Sequence, residues 1–336
     1  MSLESFWYDR AKSGPVRALA KPFETALLKP LIAWRRRRIE KRAYRAPVPV
    51  VVVGNISVGG TGKTPFLIAL ARLLDGAGLR VGIVSRGYGA RRGLFPRSVR
   101  AESSAAEVGD EPLMLYQALN GDACESKVPV VVGPARGDAI EQLLSESSVD
   151  VILSDDGLQH YAMARDLEIV MVDGLRGLGN GCLLPFGPLR EPAERLETVD
   201  FTVANSAAYG QAPIMHLKPT VVMPLSGEGG QPLSQWQGKT VHAVAGIGHP
   251  QRFFNTLRDA GLEPIEHAFP DHHIFASGEL EFDDDLPVIM TEKDAVKCRQ
   301  LGLDRLWYLP VTAELPKSFE QRLLARVQQL FQASHE

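Results

Sequence analysis

Cysteine is scarce in this chain of 336 residues, and the three present, Cys124, Cys182 and Cys298, lie far apart. They offer neither zinc-ligand spacing nor a C-x-x-C pair, and a reduced, cytosolic compartment fits them. No uncharged apolar run approaches the length needed to span a bilayer. Residues 1–10 carry charge and lack an apolar h-region, which argues against a secretion signal. Neither sign of charge dominates: 37 basic residues face 40 acidic ones, so net charge gives no reason to expect a nucleic-acid partner. Internal repeats and low-complexity tracts are also missing. What remains is a chain long enough for one large or two modest domains, with ample apolar content for a core.

The most informative stretch is VVVGNISVGGTGKTP, residues 51–65. Three valines bring a buried strand to Gly54, a glycine-rich turn follows, and Gly62-Lys63-Thr64 opens a helix. This is the strand, loop and helix order of a phosphate-binding P-loop. Ser57, Val58, Gly59, Gly60, Thr61, Gly62, Lys63 and Thr64 would form the phosphate cradle. Glycine lets backbone N–H groups approach phosphate oxygens, and the helix aims its positive end at the anion. Lys63 would reach the β- and γ-phosphates, and the Thr64 hydroxyl would hold Mg²⁺. Ser57 stands where the general G-x-x-x-x-G-K-[ST] pattern has glycine.

Along the rest of the chain, strands are expected at 48–53, 79–85, 128–132, 149–154, 167–172 and 201–204, with helices near 64–75 and 138–146 between them. Alternating strands and helices predict an α/β fold: a P-loop NTPase-type, mostly parallel sheet with helices on both faces. Ligands in such sheets gather at the carboxyl ends of strands. The P-loop, VGDE (108–111), SDDG (154–157) and MVDG (171–174) all fall at such ends. After Asn205 the texture changes. Residues 207–239 read as a two-stranded linker, and residues 240–336 as a second, smaller α/β domain ending in a helix around 318–331. Residues 1–46 form a basic helical region, and 47–206 the P-loop core.

Asp155 and Asp156 end an apolar strand, as a Walker-B acid does, where a carboxylate holds Mg²⁺ directly or through water. Paired acids at a strand end also serve as helix caps. Asp110, beside Glu111, is either a general base near the γ-phosphate or the N-cap of the helix it begins. His267, His272 and His273 surround FPDHH. Pro270 argues against one helix carrying them and no cysteine is near, so zinc is disfavoured; a histidine sharing a proton with a carboxylate and a plain surface loop both remain. TEKD at 291–294 looks like a guanine-reading [NT]KxD motif, but Lys293 directly precedes Asp294, so it is read as capping chemistry. At the N-terminus, Leu27, Leu28, Leu31, Ile32 and Trp34 adjoin four arginines, Arg35–Arg38. That pattern suits a helix in a membrane interface and equally an ordinary basic surface helix, with Pro22 and Pro30 dividing it.

Taken together, GNISVGGTGKTP, SRGYG (85–89), GDEP (109–112), SDDGLQH (154–160), LLPFGPLRE (183–191), GIGHPQRFF (246–254), FPDHH (269–273) and TEKDAVK (291–297) resemble the tetraacyldisaccharide 4'-kinase family, nearly end to end. Ser57 matches that family rather than the general P-loop rule. The resemblance implies transfer of the ATP γ-phosphate to the 4'-hydroxyl of lipid A disaccharide 1-phosphate, by a peripheral enzyme on the cytoplasmic leaflet of the inner membrane, with no nucleic acid and no protein partner implied. It implies Asp110 as catalytic base paired with His272, Lys63 at the phosphates, and Thr64, Asp155, Asp156 and Glu111 as candidate Mg²⁺ ligands. It also implies two α/β/α domains joined by a short two-stranded linker. A partition- or metallochaperone-type P-loop ATPase commonly has lysine before the paired glycines, where this chain has Val58. A non-catalytic membrane adaptor leaves the P-loop and the acids unexplained.

Overall fold

A computed structural model describes residues 3–91, 93–121, 127–226 and 229–334. Cys124 lies outside the described residues; Cys182 and Cys298 are buried free thiols. The P-loop strand, Val50–Gly54, sits centrally in a nine-stranded sheet. It pairs in parallel with Val151–Asp155 on one side and Leu167–Asp173 on the other. Val81–Ser85 and Val130–Val132 extend the parallel sheet outward from Val151–Asp155, and Phe201–Asn205 and Ile214–Pro219 extend it beyond Leu167–Asp173. Antiparallel strands close both edges: Arg97–Ser98 at one, Val311–Glu314 at the other.

The run of valines is explained by burial on both faces, as a central parallel strand requires. Val51 and Val53 pack beneath the helices Lys63–Asp75 and Asp110–Asn120, while Val50 and Val52 meet the side carrying Arg136–Glu146. Side chains alternate faces along a strand, so one four-valine run supplies two cores.

A second sheet of six strands has its own core around Phe253, Phe254, Leu257 and Ile289. Its parallel centre comprises Thr240–Ala245, Glu263–Ala268, Val288–Thr291 and Leu306–Leu309. The segment expected to be a separate linker is divided between the two sheets. Ile214–Pro219 belongs to the first, and Val221–Pro224 pairs with Leu306–Leu309 in the second. The partner of Ile214–Pro219 at the crossing is Val311–Glu314, which brings the chain back.

The final helix, Lys317–Ala333, also departs from the expected division. Instead of completing the second lobe, it inserts Phe319, Leu323 and Val327 into the first core, beside Phe66, Leu70 and Met215. Its apolar spacing was readable as a helix, but periodicity does not say which sheet the stripe covers. The first lobe is therefore finished by residues on both sides of the second.

At the N-terminus the chain runs as helix Arg10–Phe23, a π turn at Glu24–Leu28 and helix Lys29–Glu40. The prolines do not separate short helices; Pro30 falls in the first turn of the last segment, where its missing N–H breaks no helical bond. Glu24, fully buried, accepts the Leu183 N–H at 2.7 Å and pairs with Lys21 at 3.3 Å. Leu28 and Ile32 pack on the first lobe, whereas Leu19, Phe23, Leu27, Leu31 and Trp34 face solvent.

Leu323→Ala should lower unfolding stability by about 2–4 kcal/mol, the cost of a methylene-lined cavity in a close-packed site. Urea denaturation followed by fluorescence will measure it; a loss below about 0.5 kcal/mol would mean that the last helix is not part of the first core.

Candidate active site

The P-loop turn is shaped by Gly59 and Gly62, both with positive φ. At Gly62 a Cβ would come within 2.6 Å of the Asn205 side chain, so only glycine fits between the loop and the neighbouring strand end. Asn55 braces the loop from inside, donating toward Thr61 Oγ1 at 3.3 Å and Gly59 O at 3.4 Å. The LLPFGPLRE run braces it from outside: Val58 donates to Pro188 O, Arg190 N donates to Ile56 O, and Ser57 bridges to Leu189. Gln159 adds a bond to Asn55 O at 2.9 Å. Lys63 and Thr64 then open the helix, beside the unhindered Gly60.

Asp155 and Asp156 sit at the carboxyl end of the adjacent strand but in different states. Asp156, in a left-handed turn, meets Lys63 Nζ at 3.4 Å and Arg190 at 3.1 Å. Burial pushes its carboxyl up, and those two cations more than reverse the effect, leaving it below the ordinary range. Asp155 accepts the Ser85 hydroxyl on Oδ2 at 2.8 Å, while its buried Oδ1 has no partner. Burial, with the charges of Glu111 and Asp156, raises this carboxyl to about 7. A buried, unpartnered carboxylate oxygen next to a phosphate cradle suits a hard divalent cation, so the donors present fit Mg²⁺. Among the described residues no group of three or more His, Cys, Asp and Glu side chains forms a metal cage. Mg²⁺ keeps waters and phosphate oxygens in its shell, so one or two protein oxygens are enough to hold it.

Asp110 and His272 are 162 residues apart and meet across the two lobes: His272 Nδ1 lies 2.8 Å from Asp110 Oδ2. Asp110 is the first residue of its helix, after Gly109, whose positive φ and closeness to Tyr88 O exclude a Cβ. Its other oxygen accepts the Glu111 N–H at 3.0 Å, in the first turn of the same helix, so the side chain serves the helix start and the His272 contact at once. Burial raises the Asp110 carboxyl, but the His272 hydrogen bond and the Lys293 charge carry it below its ordinary value. The same hydrogen bond raises the His272 imidazole. Tyr88 lies beside this imidazole, its ring centroid 5.1 Å away. His273 instead pairs with Glu279, and His267 with His242, so the three histidines do not converge.

Several residues of this site carry no role in the sequence reading. Arg136, 1% exposed, donates to Gly133 O and Asp155 O and fixes the end of the acid-bearing strand; burial lowers its guanidinium to about 10. Arg252 makes a two-pronged contact to Asp173 at 2.9 and 3.0 Å, joining the second lobe to the first. Lys293 lies among Asp110, Glu111 and Asp271. Thr291 and Asp294 do cap their helix, as TEKD suggests, and the capping leaves Lys293 free to point at these acids. Glu111 faces Lys293 at 3.2 Å, and its charge also reaches Asp155.

A family model described as tetraacyldisaccharide-1-P 4'-kinase matches residues 17–328. Proteins named tetraacyldisaccharide 4'-kinase from Pseudomonas aeruginosa (strain LESB58) and Alkalilimnicola ehrlichii are 48% and 50% identical to this chain over 332 residues. They cover 96% and 98% of it, and 96% and 97% of their own lengths are matched. The crystal structure of LpxK from Aquifex aeolicus, described as an "apo" form in complex with ATP, superposes with a TM-score of 0.76 at 28% identity. The match covers 94% of this chain and 99% of that one.

His160 gives the site a measurable pH signature. Burial, with the nearby Arg136, Arg165 and Arg86 charges, lowers its pKa from 6.5 to about 4. As pH falls below 6.5 the unfolded chain takes up this proton first, so stability present at neutral pH is lost between about 6.5 and 4. With partial exposure discounted, that loss is about 1–2 kcal/mol. His160→Gln should flatten this part of the stability profile in urea titrations at pH 7 and pH 5; an unchanged slope would mean that His160 is solvated.

Proposed function

This chain belongs to the tetraacyldisaccharide 4'-kinase family, and on that premise we propose how its own residues move the γ-phosphoryl group of ATP onto the 4'-hydroxyl of a tetraacyldisaccharide 1-phosphate, a lipid A precursor. The observation that carries the proposal is the 2.8 Å contact between Asp110 and His272. A carboxylate kept ionised at a helix start, beside a phosphate cradle, is suited to accept the proton of an attacking hydroxyl.

In this reading the 4'-hydroxyl gives its proton to the Asp110 carboxylate as its oxygen bonds to the γ-phosphorus. The bond from that phosphorus to the bridging oxygen breaks, leaving ADP and the 4'-phosphate. His272 donates to Asp110 Oδ2 and the Glu111 N–H to Oδ1, so both oxygens are held in orientation. Residues Ser57–Thr64 cradle the phosphates. Lys63 neutralises charge on the β- and γ-oxygens, exchanging Asp156 for phosphate, and Arg190 offers a second cation there. Thr64 and Asp155 are the donors that would hold Mg²⁺, and Asp156 and Glu111 are the further acids that would orient water around it. When bound, the ion supplies charge neutralisation across the β- and γ-phosphates.

Membrane docking by the N-terminal segment is part of the same proposal. No described helix is long and apolar enough to cross a membrane. The exposed side chains of Leu19, Phe23, Leu27, Leu31 and Trp34 instead form an apolar strip, continued by Leu184, with Arg35 and Arg37 exposed beside it. Phe23 touches Phe186 of the run that wraps the P-loop, so the strip leads toward the phosphate cradle. Such a strip with flanking cations suits the cytoplasmic leaflet of a membrane that holds the acceptor's acyl chains.

The direct test is phosphate transfer from ATP to purified tetraacyldisaccharide 1-phosphate in detergent. Asp110→Asn and His272→Ala should each lower kcat by on the order of 10²–10⁴ with ATP binding retained, and the double variant should be little worse than either. Multiplicative losses would break the pair into independent groups.

In vesicle flotation, replacing Leu27, Leu31 and Trp34 by serine should weaken binding to anionic membranes even at low salt. Replacing Arg35–Arg38 by glutamine should weaken it and make the remainder less sensitive to salt. Flotation like the unaltered protein's in both variants would move the membrane contact to another surface.

A further inference from the structure

Lys293 stands beside the reacting groups but takes no part in the transfer step itself. Its ammonium lies 3.2 Å from Glu111 Oε1, 3.2 Å from Asp271 Oδ1 and 3.8 Å from Asp110 Oδ2. Two of those carboxylates belong to the first lobe and one to the second. Asp271 and Asp110 also flank His272: Asp271 Oδ1 accepts the His272 N–H at 3.0 Å, and Asp110 takes its ring nitrogen. The one ammonium thus touches the acids on both sides of the Asp110–His272 contact.

Its placement is fixed from below. Asp294 is fully buried and binds the Gly246 N–H, the Thr291 hydroxyl and the Lys297 ammonium at 2.6–2.8 Å. Those bonds tie the start of helix Glu292–Cys298 to the second sheet, and the lysine stem leaves that start toward the first lobe with its side chain only 17% exposed. A helix cap alone would leave a lysine at this position free to enter water. Here it is held against three carboxylates whose mutual repulsion would otherwise drive the two lobes apart.

We propose that Lys293 is the positioning residue that couples approach of the two lobes to assembly of the Asp110–His272 pair. With the lobes apart, Asp110 and Glu111 lose both His272 and Lys293 together. With the lobes together, the ammonium offsets the repulsion among Asp110, Glu111 and Asp271 and leaves Asp110 Oδ2 to the imidazole. Arg252 and Asp173 make a second polar bridge between the lobes, and so hold them without touching the pair. This rests on the reading of Asp110 and His272 as the reacting pair.

The test uses the full chain and two readouts. Lys293→Met should lower kcat on the order of 10²-fold, the scale of a small misplacement of reacting groups, with KM for ATP within about twofold. Lys293→Arg, which keeps the charge but not its compact shape, should recover most of that loss. The second readout needs no substrate: spin labels at Ser145→Cys and Asp259→Cys, in a Cys124→Ser background, report the distance between the lobes in nucleotide-free protein. Lys293→Met should broaden that distribution and Lys293→Arg should narrow it again. Lys293→Gln serves as a second neutral variant if the methionine form does not fold. Unaltered kcat in the neutral variant, or an unaltered distance distribution, overturns the coupling. Near-normal transfer by Asp110→Asn would sink the reacting-pair reading instead, and the distance measurement would still report whether Lys293 holds the lobes.

Discussion

The hydrogen bond between His272 and Asp110 has to be made between two lobes that each possess a separate core. An interaction of this kind is only as well defined as the relative position of its carriers. Its strength also depends on keeping water out, because the same contact is worth far less in a high-dielectric gap. Several residues near the pair can be understood as meeting that demand. Gly109 turns the chain so that Asp110 faces the gap, and the buried Asp294 roots the opposite wall. Cations of the second lobe, Arg252 and Lys293, stand opposite acids of the first.

Around the phosphate cradle the electrostatics follow a different rule. Lys63 and Arg190 already have a partner in Asp156, whereas Asp155 keeps one oxygen unpartnered at considerable cost in desolvation. Adjacent acids on one backbone thus hold opposite assignments: one keeps cations in reserve for an anion, the other keeps an anion in reserve for a cation. The left-handed turn at Asp156 separates them, sending the two side chains in different directions. The buried guanidinium of Arg136, which holds the Asp155 carbonyl, keeps that turn from relaxing.

What could be read from sequence divides along the range of the interactions concerned. The P-loop was legible because its strand, turn and helix are consecutive, and the glycines, Lys63 and Thr64 act within one local element. The parallel sheet was legible because buried strands such as Val50–Gly54 are continuously apolar. Asp110 and His272 could each be singled out, but their union across 162 residues came only from family resemblance, since no periodicity records a contact between lobes. Lys293 was hidden for a more specific reason. In TEKD the lysine sits between two capping residues, so its neighbours supply a complete local explanation for the motif. The helix Lys317–Ala333 was visible as an amphipathic segment, yet its stripe of Phe319, Leu323 and Val327 does not name the sheet it covers. The same limit applied to Leu28, whose apolar side chain packs inward while Leu27 and Leu31 face out.

The chain leaves the first lobe at Pro219 and re-enters it at Val311, and these two residues are direct partners in one antiparallel pair. The whole second lobe therefore hangs from a single point on the sheet edge, like a loop with a folded body in it. On a ribosome this inverts the usual order, in which the N-terminal unit folds first. The second lobe has all of its strands once Leu309 has emerged, while the first still lacks an edge strand and the helix that covers Phe66 and Leu70. The lobe that binds the nucleotide is begun first and closed last, so a growing chain cannot complete its phosphate-binding half before the half that carries His272 exists.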